Sequence, residues 1–279
     1  MLKPAMRISS SLVSQMGDPL AGSVVQIFGH GLNVQPEGGN LFYVGGFDRP
    51  LSCIGLQLAS RQLGQLLRSA RIHDSVRIEA RGLYLARMGR PVLHLVWEEP
   101  ECVNLSFEFT LSPDQVSHVV RAIREVEPPL SIGLATGQDL SNALKGLQVG
   151  GKAQEESVFW LLGRGLGLTP TGDDILSGFG AGLLAKGDWE AFASLSNAVR
   201  SVLSERSTTL VSEAYLSAML SGSVNEGMLA FLEAAYLGKG LREPLARARD
   251  YGHTSGDDML LGFYTAFARQ GEALAKVGR

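Results

Sequence analysis

The sequence feature that most constrains this chain is a nine-residue motif that occurs twice. Residues 171–179 read TGDDILSGF, and residues 255–263, which begin 84 positions later, read SGDDMLLGF. Seven of the nine positions agree in identity or in Ser/Thr chemistry. An internal repeat of this kind indicates one supersecondary unit used twice, and we expect the two copies to surround a shared site.

Each copy has the composition of a helix start. Thr171 and Ser255 are preferred N-cap residues, and a carboxylate follows three positions later with capping-box spacing. The helix macrodipole also favours carboxylates in the first turn. Capping alone could therefore explain both aspartate pairs, which are Asp173, Asp174, Asp257 and Asp258.

The residues that follow favour a role beyond capping. At a spacing of four residues, Asp174, Gly178 and Gly182 share one face of their predicted helix. The corresponding residues of the second copy are Asp258, Gly262 and Ala266. Small side chains let helices approach closely, so each aspartate would head a tight helix crossing. Carboxylates held there are available for a metal, a cationic substrate group or proton transfer.

Composition narrows the class of protein. The 279-residue chain has a net charge of −3 and no cluster of Lys and Arg with interleaved aromatics, which argues against a nucleic-acid partner. No apolar stretch is long enough to span a membrane, and residues 1–4 lack the apolar region of a signal peptide. Cys53 and Cys102 are predicted to be buried free thiols in a reducing compartment. We therefore expect a cytoplasmic protein.

The chain is predicted to be an α+β protein with two domains. Residues 1–112 contain short strand-like runs separated by turns, interrupted by one helix near 60–67, and predict a mainly antiparallel barrel- or sandwich-like domain. At Ser112 the pattern changes, because Ser112 is a cap and Pro113 suits the first helical position. Residues 113–279 are predicted to be all-α, and they carry both copies of the motif. The helices after the first are expected near 138–147, 153–163, 173–186, 188–205, 208–221, 224–237, 241–250 and 257–276.

A third hydroxyl-rich stretch lies between the two copies. Residues 207–209 read STT, and Thr208 or Ser207 is predicted to cap a helix there, with ligand contact as the alternative. If this helix start converges with those at Thr171 and Ser255, the three would form a pocket of N–H groups, hydroxyls and carboxylates. Helix N-termini of this kind bind anionic groups.

Three stretches together resemble a known family. Residues 165–174 read GLGLTPTGDD and are followed by Leu176 and Gly178; residues 208–212 read TTLVS; residues 252–263 read GHTSGDDMLLGF. Their order and spacing are similar to those of the AllH-like family, whose named member is a subunit of oxamate carbamoyltransferase from allantoin catabolism. Leu166 stands where the family often has Pro, and Thr171 where it often has Ser. Over residues 1–112 the resemblance is diffuse.

The resemblance implies carbamoyl transfer between oxalurate, or a related ureido acid, and phosphate, within a multi-subunit enzyme. Asp174, Asp258 and His253 are the predicted catalytic residues, with His253 carrying a proton near neutral pH. Arg164 is predicted to hold a carboxylate or phosphate, and N–H groups at Gly172 or Gly256 to stabilise an oxyanion. The predicted substrate-binding residues are Arg164, Gly165, Gly167, Thr169, Thr171, Gly172, Asp173, Thr208, Thr209, Thr254, Ser255, Gly256 and Asp257.

Two other functions stay open at this point. One is a Mg²⁺-dependent hydrolase similar to ADP-ribosylglycohydrolases, in which helix-start carboxylates hold the ion. The other is a non-catalytic scaffold or regulatory subunit, whose aspartates only cap helices. We predict no cofactor and assign no metal ligand. Mg²⁺ is the one metal ion whose binding should be tested. Its expected partners are an anionic small molecule and other subunits of a metabolic complex, with a homo-oligomer as a further form of assembly.

Overall fold

A computed structural model describes residues 6–16 and 19–268 of the chain. The chain divides into two compact units, residues 1–106 and residues 107–279. The first unit carries the strands of a β-sheet and the second is built from helices. The predicted α+β class, with a β-rich region followed by a helical region, is thus confirmed.

The first unit contains one open, mostly antiparallel sheet, which has nine strands within the described residues. The neighbouring pairs β1–β9 and β4–β5 are parallel and the others antiparallel. The strands are β1 (Met6–Ser9), β2 (Leu20–Phe28), β3 (Gly31–Gln35), β4 (Phe42–Gly46), β5 (Gly55–Leu58), β6 (Ser75–Glu79), β7 (Gly82–Arg87), β8 (Arg90–Val96) and β9 (Glu101–Val103). Their order across the sheet is β8-β7-β6-β2-β3-β4-β5-β1-β9. The sheet is open, which refines the expected barrel- or sandwich-like form.

Strand β6 shows how the sequence pattern produces the core of this unit. Its residues alternate, with Val76 and Ile78 buried and Ser75 and Arg77 exposed, as a strand with one solvated face requires. The helices of this unit are α1 (Ser10–Met16) and α2 (Ser60–Ser69), and α2 contributes Leu63 and Leu66 to the same core. The helix predicted near residues 60–67 is therefore confirmed.

The two cysteines differ in their environment. Both are free thiols, and Cys53 is buried as predicted. Burial raises the pKa of the Cys53 thiol to about 12. The prediction that Cys102 is buried is wrong, because Cys102 lies on edge strand β9 and is exposed.

The second unit consists of nine helices within its described residues. They are α3 (Pro113–Arg124), α4 (Gln138–Val149), α5 (Gly151–Leu161), α6 (Thr171–Lys186), α7 (Trp189–Glu205), α8 (Leu210–Leu220), α9 (Glu226–Tyr236), α10 (Arg242–Arg249) and α11 (Ser255–Phe267). Each predicted helix has a counterpart here. Positions 269–276 of the last predicted helix lie outside the described residues.

Helix α6 is the central helix of this unit. Nearly all of its residues are buried, and it packs against α11, α8, α5 and α7. A helix that is apolar on all sides requires such a position. It ends at Gly187, which adopts the left-handed conformation and donates its N–H back to the last turn. Within the part of the chain that the structure describes, no helix is long and apolar enough to cross a membrane.

Candidate functional site: four buried aspartates at two helix starts

The repeated motifs lie at the starts of α6 and α11, but their hydroxyl residues are not caps. Each helix begins at the motif, as predicted, and Thr171 and Ser255 are the first helical residues. The N-cap positions are held by Pro170 and Thr254, neither of which makes a side-chain capping hydrogen bond. The predicted capping boxes are therefore wrong. The reason is tertiary, because the aspartates bond to other segments of the chain.

The first aspartate of each pair anchors a loop. Asp173 accepts hydrogen bonds from the Gly163 N–H (2.8 Å) and from the Thr208 hydroxyl. Asp257 accepts from the Ser131 N–H (2.7 Å) and forms a two-pronged ion pair with Arg249, with N–O distances of 2.7 and 3.0 Å. Charge-assisted bonds of this geometry are among the strong ones. Both carboxylates are therefore engaged in holding neighbouring loops.

The second aspartate of each pair is differently placed. Asp174 is 6% exposed and Asp258 is 0% exposed. Asp258 accepts one bond at Oδ1 from the Gly133 N–H (3.0 Å). Among the described residues, Oδ2 of Asp174 and Oδ2 of Asp258 have no hydrogen-bond partner. A buried acceptor without a donor costs about 1–3 kcal/mol, more when it is charged, so these two oxygens are the part of the site that stability does not explain.

Burial shifts the ionisation of these aspartates. Desolvation raises the pKa of Asp258 to about 6, against the lowering effect of the Gly133 N–H and of the Thr254 and Thr171 hydroxyls. Desolvation also raises the pKa of Asp174 well above its usual value, and the nearby charge of Asp258 raises it further. The pKa of Asp173 is raised by burial as well, while hydrogen bonds from Thr208 and Gly163 oppose the shift. Burial therefore shifts the ionisation of Asp173, Asp174 and Asp258 towards higher pH.

The two copies meet in a reciprocal arrangement. The Ser255 hydroxyl, on α11, lowers the pKa of Asp174 on α6, and the Thr171 hydroxyl, on α6, lowers that of Asp258 on α11, so each helix start faces the aspartate of the other. We call the meeting point of the two helix starts, formed by Asp173, Asp174, Asp257 and Asp258, the aspartate junction. The charge of Asp258 also raises the pKa of Asp174, so the two carboxyl groups interact electrostatically.

Glycines allow the helices to come this close. A Cβ on Gly178 would overlap the Met259 carbonyl, and one on Gly262 would overlap the Ile175 carbonyl. One on Gly182 would lie 2.5 Å from the Ala266 Cβ. The predicted tight crossing of two small-residue stripes is confirmed.

The glycine-rich loop of residues 163–170 covers one side of the junction. Gly165 and Gly167 have φ angles of +122° and +94°, which favour glycine. A Cβ on Gly165 would also lie 2.6 Å from the Thr171 nitrogen. The hydroxyls of Thr169 and Ser255 are 2.9 Å apart, which ties the loop to the start of α11.

The third hydroxyl-rich stretch joins the same region. Thr209, and not Thr208 or Ser207, is the N-cap of α8, and its hydroxyl accepts from the Ser212 N–H. The Thr209 hydroxyl also donates to the Leu168 carbonyl, and Thr208 donates to Asp173. The cap therefore lies one or two residues later than predicted, because the Thr208 hydroxyl bonds to a distant carboxylate instead. The three helix starts thus converge.

The two backbone N–H groups that were predicted to stabilise an oxyanion are hydrogen-bonded within the protein. The N–H groups of Gly172 and Gly256 already donate to the carbonyls of Arg164 (2.8 Å) and Tyr251 (2.9 Å). A Cβ on Gly172 would overlap the Leu161 carbonyl, so this glycine serves helix packing. Neither N–H group is available to an oxyanion in this structure, and that prediction is wrong.

Arg164 and His253 lie at the edge of this region. The Arg164 guanidinium stacks on Trp160, with 4.2 Å to the ring centroid, and Nε donates to the Trp160 carbonyl. His253 is exposed in the turn between α10 and α11. Within the described residues, no hydrogen bond joins either side chain to the aspartate junction.

The sequence analysis missed several contributors to the junction. They are Gly163 at the end of α5, Ser131 and Gly133 in the segment between α3 and α4, and Arg249 at the end of α10. Ser131 and Gly133 act through backbone N–H groups, which any residue carries, so no sequence motif marks them. Arg249 lies eight residues before Asp257, and only the turn between them brings the two together.

Within residues 6–16 and 19–268, no group of three or more His, Cys, Asp or Glu side chains is arranged to hold a metal ion.

Fold and site together define an α+β protein whose helical unit brings two aspartate-bearing helix starts into one buried junction. Residues 161–267 match the model of the AllH family, described as oxamate carbamoyltransferase subunit AllH. The match spans α6, α8 and α11, and it confirms the AllH-like resemblance of this part of the chain. Searches of the curated proteins and of the solved structures gave no match.

Proposed function

We propose that this chain is a subunit of a carbamoyltransferase that acts on oxalurate or a related ureido acid with phosphate. The observation that supports the proposal best is a coincidence of position. The family match covers residues 161–267, which contain all four aspartates of the junction and two unpartnered buried oxygens. Groups that are unfavourable for stability and lie in the matched region are candidates for chemistry.

The proposed reaction needs a proton to move as well as a carbamoyl group. A phosphate oxygen forms a bond to the terminal carbamoyl carbon of oxalurate, and the bond from that carbon to the inner nitrogen breaks. The products are carbamoyl phosphate and oxamate, and the leaving nitrogen takes up one proton while hydrogen phosphate gives one up. A group with a pKa near the working pH is suited to carry that proton.

Asp258 and Asp174 are the residues best suited to this proton transfer. The pKa of Asp258 is raised to about 6, and that of Asp174 is raised well above its usual value. A carboxyl group whose pKa is raised towards the working pH can take up a proton and donate it to the departing nitrogen. His253 is exposed beside the second motif and is the alternative proton carrier. Arg164, at the start of the glycine-rich loop, would hold the carboxylate or phosphate.

Access to the site requires movement of a covering loop. The Oδ2 atoms of Asp174 and Asp258 are inaccessible in this structure. Gly133 is exposed, and its backbone contacts Asp258, so this loop separates Asp258 from solvent on that side. A partner subunit that displaces this loop or the glycine-rich loop would give the substrate access, which fits a subunit of a larger enzyme.

The experiment is an assay of phosphate-dependent oxalurate cleavage. The purified chain is tested alone and with the proteins encoded beside it, with oxamate and carbamoyl phosphate as measured products. Asp174→Asn and Asp258→Asn should each lower the rate by about 100-fold or more, the scale of general acid–base catalysis. Asp139→Asn is the control, because Asp139 is exposed in the first turn of α4.

The outcomes separate the three functions. Full activity of both junction variants in the assembled enzyme would refute the proposal and favour the non-catalytic scaffold. An activity that requires Mg²⁺ and hydrolyses an ADP-ribosyl bond would favour the hydrolase.

A further inference from the structure

The two unpartnered oxygens of the aspartate junction specify what kind of chemical group could occupy it. Asp174 Oδ2 and Asp258 Oδ2 are hydrogen-bond acceptors when their carboxyl groups are ionised, and both lie on residues that are more than nine-tenths buried. A carboxylate or phosphate oxygen placed against them would add a further acceptor and a like charge. An N–H group would supply the missing donor.

The surroundings of Asp258 Oδ2 form a small cradle of polar atoms. A Cβ on Gly133 would overlap the Thr171 hydroxyl and lie 2.9 Å from the Thr254 hydroxyl and 3.3 Å from Asp258 Oδ2. The absence of a side chain at Gly133 therefore keeps these three groups free of steric contact. Hydroxyl groups can donate or accept, so they can bind either the carbonyl oxygen or the N–H groups of an amide.

We propose that the aspartate junction binds the terminal carbamoyl end of a ureido substrate, whose NH₂ group donates to Asp258 Oδ2 in this cradle. In this arrangement the carboxylate end of the substrate, and phosphate, lie away from the four aspartates. The identity of the whole substrate rests on the proposed function, whereas recognition of an N–H-bearing carbamoyl group rests on the unpartnered Asp258 Oδ2 and the hydroxyls around it.

A neutral donor fits the site better than a cation does. Burial opposes a charge on each of the two carboxyls, and the charge of Asp258 further disfavours ionisation of Asp174. Their raised pKa values favour a junction that carries fewer than two negative charges. An NH₂ group has two donors and no charge, so it can donate to Asp258 Oδ2 without placing a second charge in the buried site.

The test is a calorimetric comparison of two ligands that differ in one group. Oxalurate ends in NH₂, and N-acetyloxamate has a methyl group in its place. We expect the full-length chain to bind oxalurate at least about tenfold more tightly, because the methyl compound leaves Asp258 Oδ2 without a donor. Asp258→Asn should abolish this discrimination, since the amide changes the acceptor set, while the unfolding temperature shows that the variant folds.

Gly133→Ala provides a second variant that leaves the carboxylates in place. It should weaken oxalurate binding by about tenfold or more, because the added methyl group fills the cradle. Gly240→Ala is the matched control, since a Cβ there meets no atom within 4 Å.

Four results would overturn the inference. They are no oxalurate binding, equal affinity for the two ligands, unchanged discrimination in Asp258→Asn, and Asp258-dependent binding of methylguanidinium that is tighter than that of oxalurate. Failure of the proposed function is distinguishable from these. Discrimination that depends on Asp258, without phosphate-dependent cleavage in any assembly, would support the inference and refute the carbamoyltransferase.

Discussion

Gly178 and Gly262 occupy equivalent positions in the two motifs, and each lies against the backbone of the other helix. A Cβ on Gly178 would overlap the carbonyl of Met259, and a Cβ on Gly262 would overlap the carbonyl of Ile175. Ile175 and Met259 are themselves equivalent positions of the repeat. The contact is therefore reciprocal, and it holds the two helix starts together so that their aspartates form one junction.

Alanine at either glycine should destabilise the protein. A methyl group that meets backbone forces the helices apart, at about 1–3 kcal/mol for overpacking. Alanine is favoured over glycine inside a helix by about 1 kcal/mol, which offsets part of this cost. We expect Gly178→Ala and Gly262→Ala to lower the free energy of unfolding measured in urea.

Gly180→Ala is the control for this prediction. Gly180 lies on the same helix, but its nearest neighbour is the flexible Met219 side chain, which can move. We expect a change close to zero. An equal loss in all three variants would show that the effect is not specific to the crossing.

Loss of the Arg249–Asp257 ion pair should be costly. Arg249 also donates to the carbonyls of Pro128 and Pro129, so it connects α10, α11 and the segment after α3. Arg249→Met leaves Asp257, which is 7% exposed, without its cation. The expected loss in the free energy of unfolding is about 3 kcal/mol. Denaturant unfolding measures it.

Arg247→Met is the matched control, because its pair with Glu243 is exposed on the same helix. Its effect should stay below about 0.5 kcal/mol. A similar loss in both variants would contradict a special role of the buried pair.

The stability of the protein should fall as pH rises through the range in which Asp258 titrates. Its pKa is raised from 3.8 to about 6 in the folded chain. Below pH 3.8 both states are protonated. Between pH 3.8 and about pH 6, Asp258 loses its proton in the unfolded chain but keeps it in the folded chain. The free energy of unfolding therefore falls by about 3 kcal/mol over this range.

The measurement is the difference in free energy of unfolding between the wild type and Asp258→Asn at several pH values. Asp74 acts in the opposite direction, since hydrogen bonding from Arg87 lowers its pKa. The difference between the two proteins removes that contribution. A difference that does not change with pH would contradict the raised pKa of Asp258.

Mg²⁺ is expected not to bind stoichiometrically. Metal binding requires ionised carboxylates, whereas burial favours protonated Asp174 and Asp258, and Asp173 and Asp257 are engaged by other donors. Calorimetric titration with Mg²⁺ should therefore show no saturable heat. Tight binding that Asp174→Asn or Asp258→Asn abolishes would favour the hydrolase.

The sequence was sufficient to predict a residue's role where that residue bonds within its own helix or strand. Ser112 was predicted to cap α3, and it forms a capping box with Gln115. Asp188, a preferred N-cap residue, caps α7 and accepts from the Ala191 N–H. These bonds join residues three positions apart, so the sequence contains all the information that they require.

At the aspartate junction, hydrogen bonds to distant segments replace the helix caps that the local sequence predicts. Asp174 and Asp258 have capping-box spacing, yet Asp258 accepts from Gly133, more than a hundred positions away in the chain. Thr208 donates to Asp173, which leaves Thr209 to cap α8. A cap and a tertiary hydrogen bond use the same side-chain atoms, and the folded packing decides between them.

The sequence by itself determined the α+β class, most of the helices, the repeat and the small-residue stripes that let α6 and α11 cross closely. These depend on periodicity and on residue size, which are local properties. The tertiary structure alone decided that Asp173 and Asp257 hold loops, while Asp174 and Asp258 each keep one buried oxygen without a donor. That distinction depends on which backbone N–H groups arrive from other segments, and every residue except proline carries the same N–H group.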